Sequence, residues 1–510
     1  MPGRVVWAHD PKTVSWDGSG YWWEPTNFDE TAILKMVNDS IASLGGKSSA
    51  KDGWTALFQT HNGGTGYQAG EKIAIKANIN GSAVFDDDTS GETQMSYTNP
   101  VLLKALLRSL VEEAGVAPSD ITVYDVSRLF PDYMVELSTS GNLRGVAFVG
   151  RDNGVADESA PINWSYSFSG KVNYLPTCVT EAAYVINLAN LKGHSYGITL
   201  CGKNHFGSFI NGNAMRPPEG ANLHQWLTRN EMGIYSPLVD LMANEHLGGK
   251  TVLYMLYALI CATSEGASIT AESAKWQQSP FDGYYAASVF VSQDPVAIDS
   301  VGADFLMNEP AVTSRNGALR NNPSVENYLH EAGLIGNPPS GTVYTDGSGN
   351  PVENLGVHEH WNNSADKRYS RDVGKDEGIE LICLSRTEQV EQSGGNMKIR
   401  VKSDNIEVIF VLNDTSAAVS LYGQLPLAMN VENYGNNEKI FYPEKLDCTD
   451  VIEGTCQSGT LAYFSPWGDV VMFYGPQSKY PGLYILGEAI EGANHIKSLS
   501  GKIQITKVEQ

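Results

Sequence analysis

An apolar strand, a helix with one oily face and a second apolar strand follow one another between residues 72 and 126, and this run constrains the fold most. Lys72 to Ile79 (KIAIKANI) reads as a strand. Asn99-Pro100 then opens a helix, because asparagine caps well and proline suits the first helical position. Leu102, Leu103, Leu106, Leu107, Leu110 and Ala114 fall on one face at helical spacing, and Gly115 stops the run. Ile121 to Val126 (ITVYDV) is the next strand. Such alternation predicts an α/β fold: a mainly parallel sheet flanked by helices. Ala183 to Leu191 and Ser288 to Val291 read as later strands. Asp294-Pro295 starts a helix reaching Asn308, and Ser324 to Ala332 reads as a further one.

The composition changes after Leu384. Residues 386–396 are polar, glycine-containing and without periodicity, so they read as a linker between an α/β domain (1–385) and a second domain (397–510). Beyond the linker, short β-type runs recur at Lys398 to Val401, Ile406 to Leu412, Leu461 to Phe464 and Asp469 to Tyr474. Their close spacing predicts a small closed β-structure.

The formal net charge of -23 repels phosphate backbones, which argues against nucleic acid as a partner and against acidic carbohydrate or acidic lipid as a main one. The longest apolar run, Thr251 to Ala262, is too short to span a bilayer and is interrupted by tyrosines. Low lysine and high glycine, tyrosine, asparagine and serine point to an extracellular or periplasmic chain. No apolar leader follows Met1, so that reading presumes an export signal removed ahead of it; a cytoplasmic chain is the alternative. Cys448 and Cys456 bracket a short loop and are candidates for a disulfide, while the other four cysteines read as buried thiols. No CxxC occurs, so no iron–sulfur cluster is expected.

Nine of the ten histidines precede residue 361, which places imidazole chemistry in the first domain. The densest polar segment is LKGHSYGITLCGKNHFGS, residues 191–208, directly after a buried strand. Ligands of open parallel sheets bind beyond strand carboxyl ends. Lys192 and Lys203 can neutralise an anion there, Asn204 adds an amide, and His194 and His205 can ligate a metal or move a proton. A polar surface loop is the bland alternative. Lys76 and Asn78 share one face at the end of the first strand by alternation, and a solvent-facing lysine is the competing view. Asp125 and Ser127 share a face at the end of ITVYDV; Asp125 either orients a ligand or closes a turn with Arg128. Asp294 reads as a helix cap. Asp299 is mid-helix among apolar residues and needs a partner. The run Asp86 to Asp88 reads as a solvated loop rather than a cation site. In His358-Glu359-His360 an extended backbone points both imidazoles one way, as a metal chelate requires, although surface histidines beside a tryptophan are also common. P-loop, GxGxxG, HExxH and GxSxG motifs are absent.

KIAIKANIN, TNP opening a helix, VYDVSR, INLANLKGHSYGITLCGKNHFGS and SQDPVAIDSVG, in this order, resemble the family known as domain of unknown function 362 over residues 5–385. The resemblance implies a bacterial source and, from many members, export. Some relatives carry iron–sulfur cysteines at a spacing this chain lacks. The family pattern implies an aspartate near the end of LYMLYALIC, where Tyr257 stands, which puts activity in doubt. LNDTSAAVSLYGQLPLAMNVENYGNNEKIFYPEKL and GTLAYFSPWGDVVMFYG resemble the bacterial cyclophilin-like family and imply its barrel. FxRxxxxFxxQGG is absent, so prolyl isomerase activity is not implied.

Two functions follow. In one, the α/β cleft of an exported enzyme binds a small anion, with a divalent metal as candidate cofactor. Lys76, Asn78, Lys192 and Asn204 bind; His194, Lys203, Asp125 and Asp299 carry or orient the chemistry; His194 and His205 hold the metal. In the other, a non-catalytic surface protein serves recognition of glycan or protein, through its ten tryptophans and many tyrosines, or structure and assembly, with the barrel as docking module.

Overall fold

The structure, a computed structural model, describes residues 2–82, 89–166, 172–210, 223–227, 230–320, 322–385, 397–403, 406–413, 415–449 and 451–508. Asp86 to Asp88 and the 386–396 linker lie outside the described residues. The chain forms two compact units, Met1–Leu384 and Ser385–Gln510.

The first unit is built on an eight-stranded sheet. Its order is Glu380–Ser385, Arg4–His9, Ser288–Ser292, Thr251–Ala258, Tyr184–Asn190, Ile73–Lys76, Ile121–Tyr124 and Ala147–Val149. The five strands from Thr251–Ala258 to Ala147–Val149 run parallel, and Ser288–Ser292 runs against both of its neighbours. The sheet is therefore mainly parallel, as the strand–helix–strand pattern predicts. Helices cover both faces, so Thr251–Ala258 is buried at all eight positions. One face, carrying Ile73, Ile75, Ile186 and Met255, packs against the helices Glu30–Leu44, Ala50–His61 and Pro100–Arg108. The other, carrying Ala189, Leu256 and Phe290, packs against Pro295–Asn308 and Pro323–Gly333.

The caps behave as their side chains dictate. Asn99 Oδ1 accepts from the N–H groups of Val101 and Leu102 at 2.9 and 3.0 Å. Asn99→Ala is expected to destabilise the unit by about 1 kcal/mol, read from a denaturant midpoint. Asp294 accepts from Val296 and Ala297 and also holds Gly3 N and Val357 N, so it joins three segments. The first strand ends at Lys76, earlier than its apolar run, because Asn78 N turns to Thr98 Oγ1 and Ile79 N to Asp125.

Tyr257, in the place of the expected aspartate, is a core residue. Its ring lies near Trp22, on the sheet face of Ile75, and its hydroxyl accepts from Ile260 N at 3.2 Å.

The second unit is a closed antiparallel barrel of eight strands. Its interior is filled by Phe410, Phe441, Leu461, Tyr463 and Leu486, and the helix Ser416–Gly423 adds Ala417, Ala418 and Leu421. Of the two alternatives open for Cys448 and Cys456, the structure has the unbonded one: both are free thiols. They pack in different apolar clusters, Cys448 beside the main core and Cys456 with Ile440 and Phe473.

Candidate functional site

The strands Ile73–Lys76 and Tyr184–Asn190 are neighbours, but the chain leaves them in opposite directions across the sheet. The first leads to Ile121–Tyr124 on one side, the second to Thr251–Ala258 on the other. Diverging connections leave a crevice beyond the carboxyl ends of such a pair. At this end of the sheet lie Lys76 and, just beyond it, Asn78; Asn187 and, just beyond its strand, Lys192; and the short helix Cys201–Asn204 that follows.

Asn204 ties these pieces together. Its Oδ1 accepts from Asn78 Nδ2 at 3.0 Å and from Lys76 Nζ at 3.5 Å. Its Nδ2 donates to Asn187 Oδ1 at 2.8 Å and lies 3.2 Å from the carbonyls of Lys76 and Leu188. Lys76 Nζ pairs with Asp125 Oδ2 at 3.0 Å and also donates to Ala77 O. Lys192 Nζ donates to Asn78 Oδ1 at 3.2 Å and to Ser96 O at 3.3 Å. The shared face of Lys76 and Asn78 is thus real, and it turns into the interior rather than to water: Lys76 and Lys192 are both 0% exposed.

A second group adjoins the first. Lys203 Nζ lies 3.0 Å from His224 Nε2 and 4.3 Å from the Phe206 ring centre. The His224 ring stacks on His194 with centroids 5.4 Å apart. His194 Nδ1 accepts from Tyr196 N at 2.9 Å and lies 3.7 Å from Glu265 Oε1. Glu265 also takes Ser195 N and Ser195 Oγ.

Burial dominates the titration of these groups. Loss of solvent pushes the Lys203 ammonium down to about 7; Glu265 opposes the fall and Lys192 adds to it. Lys192 falls to about 8 for the same reason, opposed chiefly by Glu265 and Asp125. Lys76 is lowered by burial despite Asp125. His205 and His224 are each pushed down to about 3 by burial, so both rings are neutral. His224 can therefore accept from Lys203.

The structure gathers Lys76, Asn78, Asp125, Lys192, Asn204 and His205 into one hydrogen-bond network, with Lys203 and His194 beside it. Three expected roles do not fit their partners. Asp125 has both oxygens engaged, Oδ2 by Lys76 and Ile79 N, Oδ1 by Ser127 N and Oγ, so it positions Lys76 rather than moving protons. Asp299 lies apart, accepting from Cys201 N, Gly202 N and Tyr328 OH, and anchors the start of the short helix. Burial raises it to about 6. His205 spends one ring nitrogen on Asn187 Nδ2 and the other on Ser208 Oγ, at 2.9 and 3.0 Å. It keeps no lone pair for a metal shared with His194. The candidate metal cluster among the described residues is elsewhere, at Glu326, His358 and His360.

Sequence reasoning missed Asn187, Ser96, His224 and Glu265. Asn187 interrupts an otherwise apolar buried strand, a signal that was available. Ser96, His224 and Glu265 sit in segments without periodicity, and only the fold brings them to the lysines.

The fold and site define an α/β unit with a buried, lysine-rich hydrogen-bond network at its strand ends, carried on one chain with a closed antiparallel barrel. Residues 73–304 match the family described as domain of unknown function (DUF362), and residues 401–507 match the cyclophilin-like family, so the chain joins these two domains. The first match contains Lys76, Lys192 and Lys203 and excludes His358 and His360. No curated protein matches the chain. Among solved structures, a hypothetical protein from Archaeoglobus fulgidus is 13% identical, over 22% of this chain and 95% of that one, with a TM-score of 0.20. McbB in complex with tryptophan is 12% identical, over 22% of this chain and 45% of that one, with a TM-score of 0.18. No helix among the described residues is long and apolar enough to cross a membrane.

Proposed function

We propose that the α/β unit binds a small anion at the strand-end crevice through Lys192 and Lys203, with Lys76, Asn78 and Asn204 shaping the site. One observation carries this reading: three buried lysines converge, and of the three only Lys76 has a carboxylate of the described residues within ion-pair distance, Glu265 acting on the other two from farther away. Buried ammonium groups without a counter-charge are costly, and a bound anion removes that cost. Lys203, pushed down to about 7 and 3.0 Å from His224 Nε2, is the group suited to exchange a proton with the bound molecule.

Calorimetric titration of the full chain with inorganic phosphate and with small mono- and dicarboxylates at low ionic strength tests the reading. The two lysines lose their protons in the free protein near pH 7 and 8, and an anion restores them. Binding therefore takes up protons, and affinity is expected to drop by up to about tenfold per pH unit per lysine as pH rises through that window. Lys203→Met should weaken binding and flatten the pH dependence. Absence of binding by any of these anions at about pH 6 defeats the proposal.

A second reading rests on the barrel. Trp467, Tyr480 and Tyr434 are exposed, and Phe464 packs edge-on against both Trp467 and Tyr480. Such rings suit the apolar faces of sugars. Glycan-array binding lost in Trp467→Ala would favour recognition over catalysis. We also propose that the chain works outside the cytoplasm, which fractionation of the native source tests.

A further inference from the structure

His358 and His360 sit on an extended segment against two helices, and neither takes part in the lysine network. Glu326 and His330 lie one turn apart on the helix Pro323–Gly333, so they share a face. Gly333 lets this helix approach closely, since a side-chain carbon there would stand 2.7 Å from His358 Cβ. The result is a convergence of three imidazoles on one carboxylate. Glu326 Oε2 lies 3.1 Å from His360 Nε2, 3.8 Å from His358 Nε2 and 3.8 Å from His330 Nε2. Ligand atoms of Glu326, His358 and His360 all fall within 4.8 Å of one another. Metal–ligand bonds of about 2.1 Å place neighbouring donors of a tetrahedron about 3.4 Å apart, which these separations bracket.

The outer partners fix which nitrogen faces inward. Ser300 Oγ donates its one proton to Val296 O at 2.7 Å, so towards His358 Nδ1, 2.9 Å away, it can only accept. With the hydroxyl proton on Val296 O, His358 carries its proton on Nδ1 and offers a lone pair on Nε2. Glu326 Oε2 is shared between the His360 Nε2–H, 3.1 Å away, and that lone pair at 3.8 Å; an ion seated among them would take the place of the His360 proton. His360 Nδ1 is held by Asp304 Oδ1 at 2.7 Å, and Asp304 Oδ2 is itself fixed by Trp361 N and Tyr369 OH. A hydroxyl and a carboxylate that orient imidazoles in this way are the usual outer shell of a metal-bound histidine.

We propose that Glu326, His358 and His360 bind one divalent ion of the zinc class. The ion fastens the 358–360 segment to the helices Pro295–Asn308 and Pro323–Gly333. Nitrogen-rich ligands with one carboxylate favour zinc or cobalt over magnesium or calcium.

The test uses the full chain, stripped with a chelator and titrated with zinc and with cobalt. Expected are one equivalent of zinc, a raised thermal midpoint, and the strong visible absorption of tetrahedral cobalt. His358→Ala and Glu326→Gln should abolish all three, Ser300→Ala should weaken zinc binding about 10–100-fold, and His495→Ala, on the exposed surface of the other unit, should change nothing. Should His358→Ala fail to fold, the cobalt spectrum of the unaltered chain beside that of Glu326→Gln decides. Zinc uptake below one equivalent, or uptake retained in full by Glu326→Gln, overturns the proposal.

Discussion

Asp125→Ala is expected to destabilise the α/β unit by about 3–5 kcal/mol, because it strands a buried ammonium. Lys76 is 0% exposed and Asp125 2%, so water cannot replace the lost partner. The carboxylate also takes Ile79 N and both donors of Ser127, which would be orphaned together. The double variant Asp125→Ala, Lys76→Met removes the uncompensated charge and should recover much of the loss. A denaturant series on the two single variants and the double variant measures this coupling. Equal destabilisation of Asp125→Ala with and without Lys76→Met would refute the pairing as the dominant effect.

Asp299→Ala is the second large effect, at about 3 kcal/mol, since three buried donors lose their acceptor at once. Those donors are Cys201 N, Gly202 N and Tyr328 OH, at 2.8, 2.9 and 3.1 Å. The helix they begin is only four residues long and carries Lys203 and Asn204. Losing its anchor should therefore also loosen anion binding, without any contact between Asp299 and the anion. Asp299→Asn keeps one good acceptor and should fall between the two. The affinity lost in Asp299→Ala is expected to track local order, so amide exchange at residues 201–204 should accelerate in step with it. Normal exchange there with impaired binding would mean that Asp299 acts on the ligand directly.

Local rules carried far in this chain. The Asn99-Pro100 and Asp294-Pro295 starts hold because capping needs only neighbours. Lys76 and Asn78 meet on Asn204 because strand alternation is local. The partners of Asp125 and Asp299 were beyond such rules. A buried carboxylate announces that it needs donors, but Cys201 N lies 98 positions from Asp299 and nothing near either residue names the other. The helix Ala50–His61 escapes for another reason: Gly53 lowers its propensity, yet that glycine is what lets the helix touch Ile41, whose carbonyl would stand 2.5 Å from an added carbon. The helix Glu30–Leu44 carried its own signal, with Ile33, Met36, Val37, Ile41 and Leu44 at helical spacing behind Asp29.

The barrel closes on itself, strand 501–507 pairing with both 398–403 and 427–434. A sheet without rims offers no row of idle amides and carbonyls on which a visiting peptide could lie as an extra strand. Whatever this module engages must be gripped by side chains and loops, and its choice of companion can change by substitution there while the hydrogen-bonded hoop beneath stays as it is.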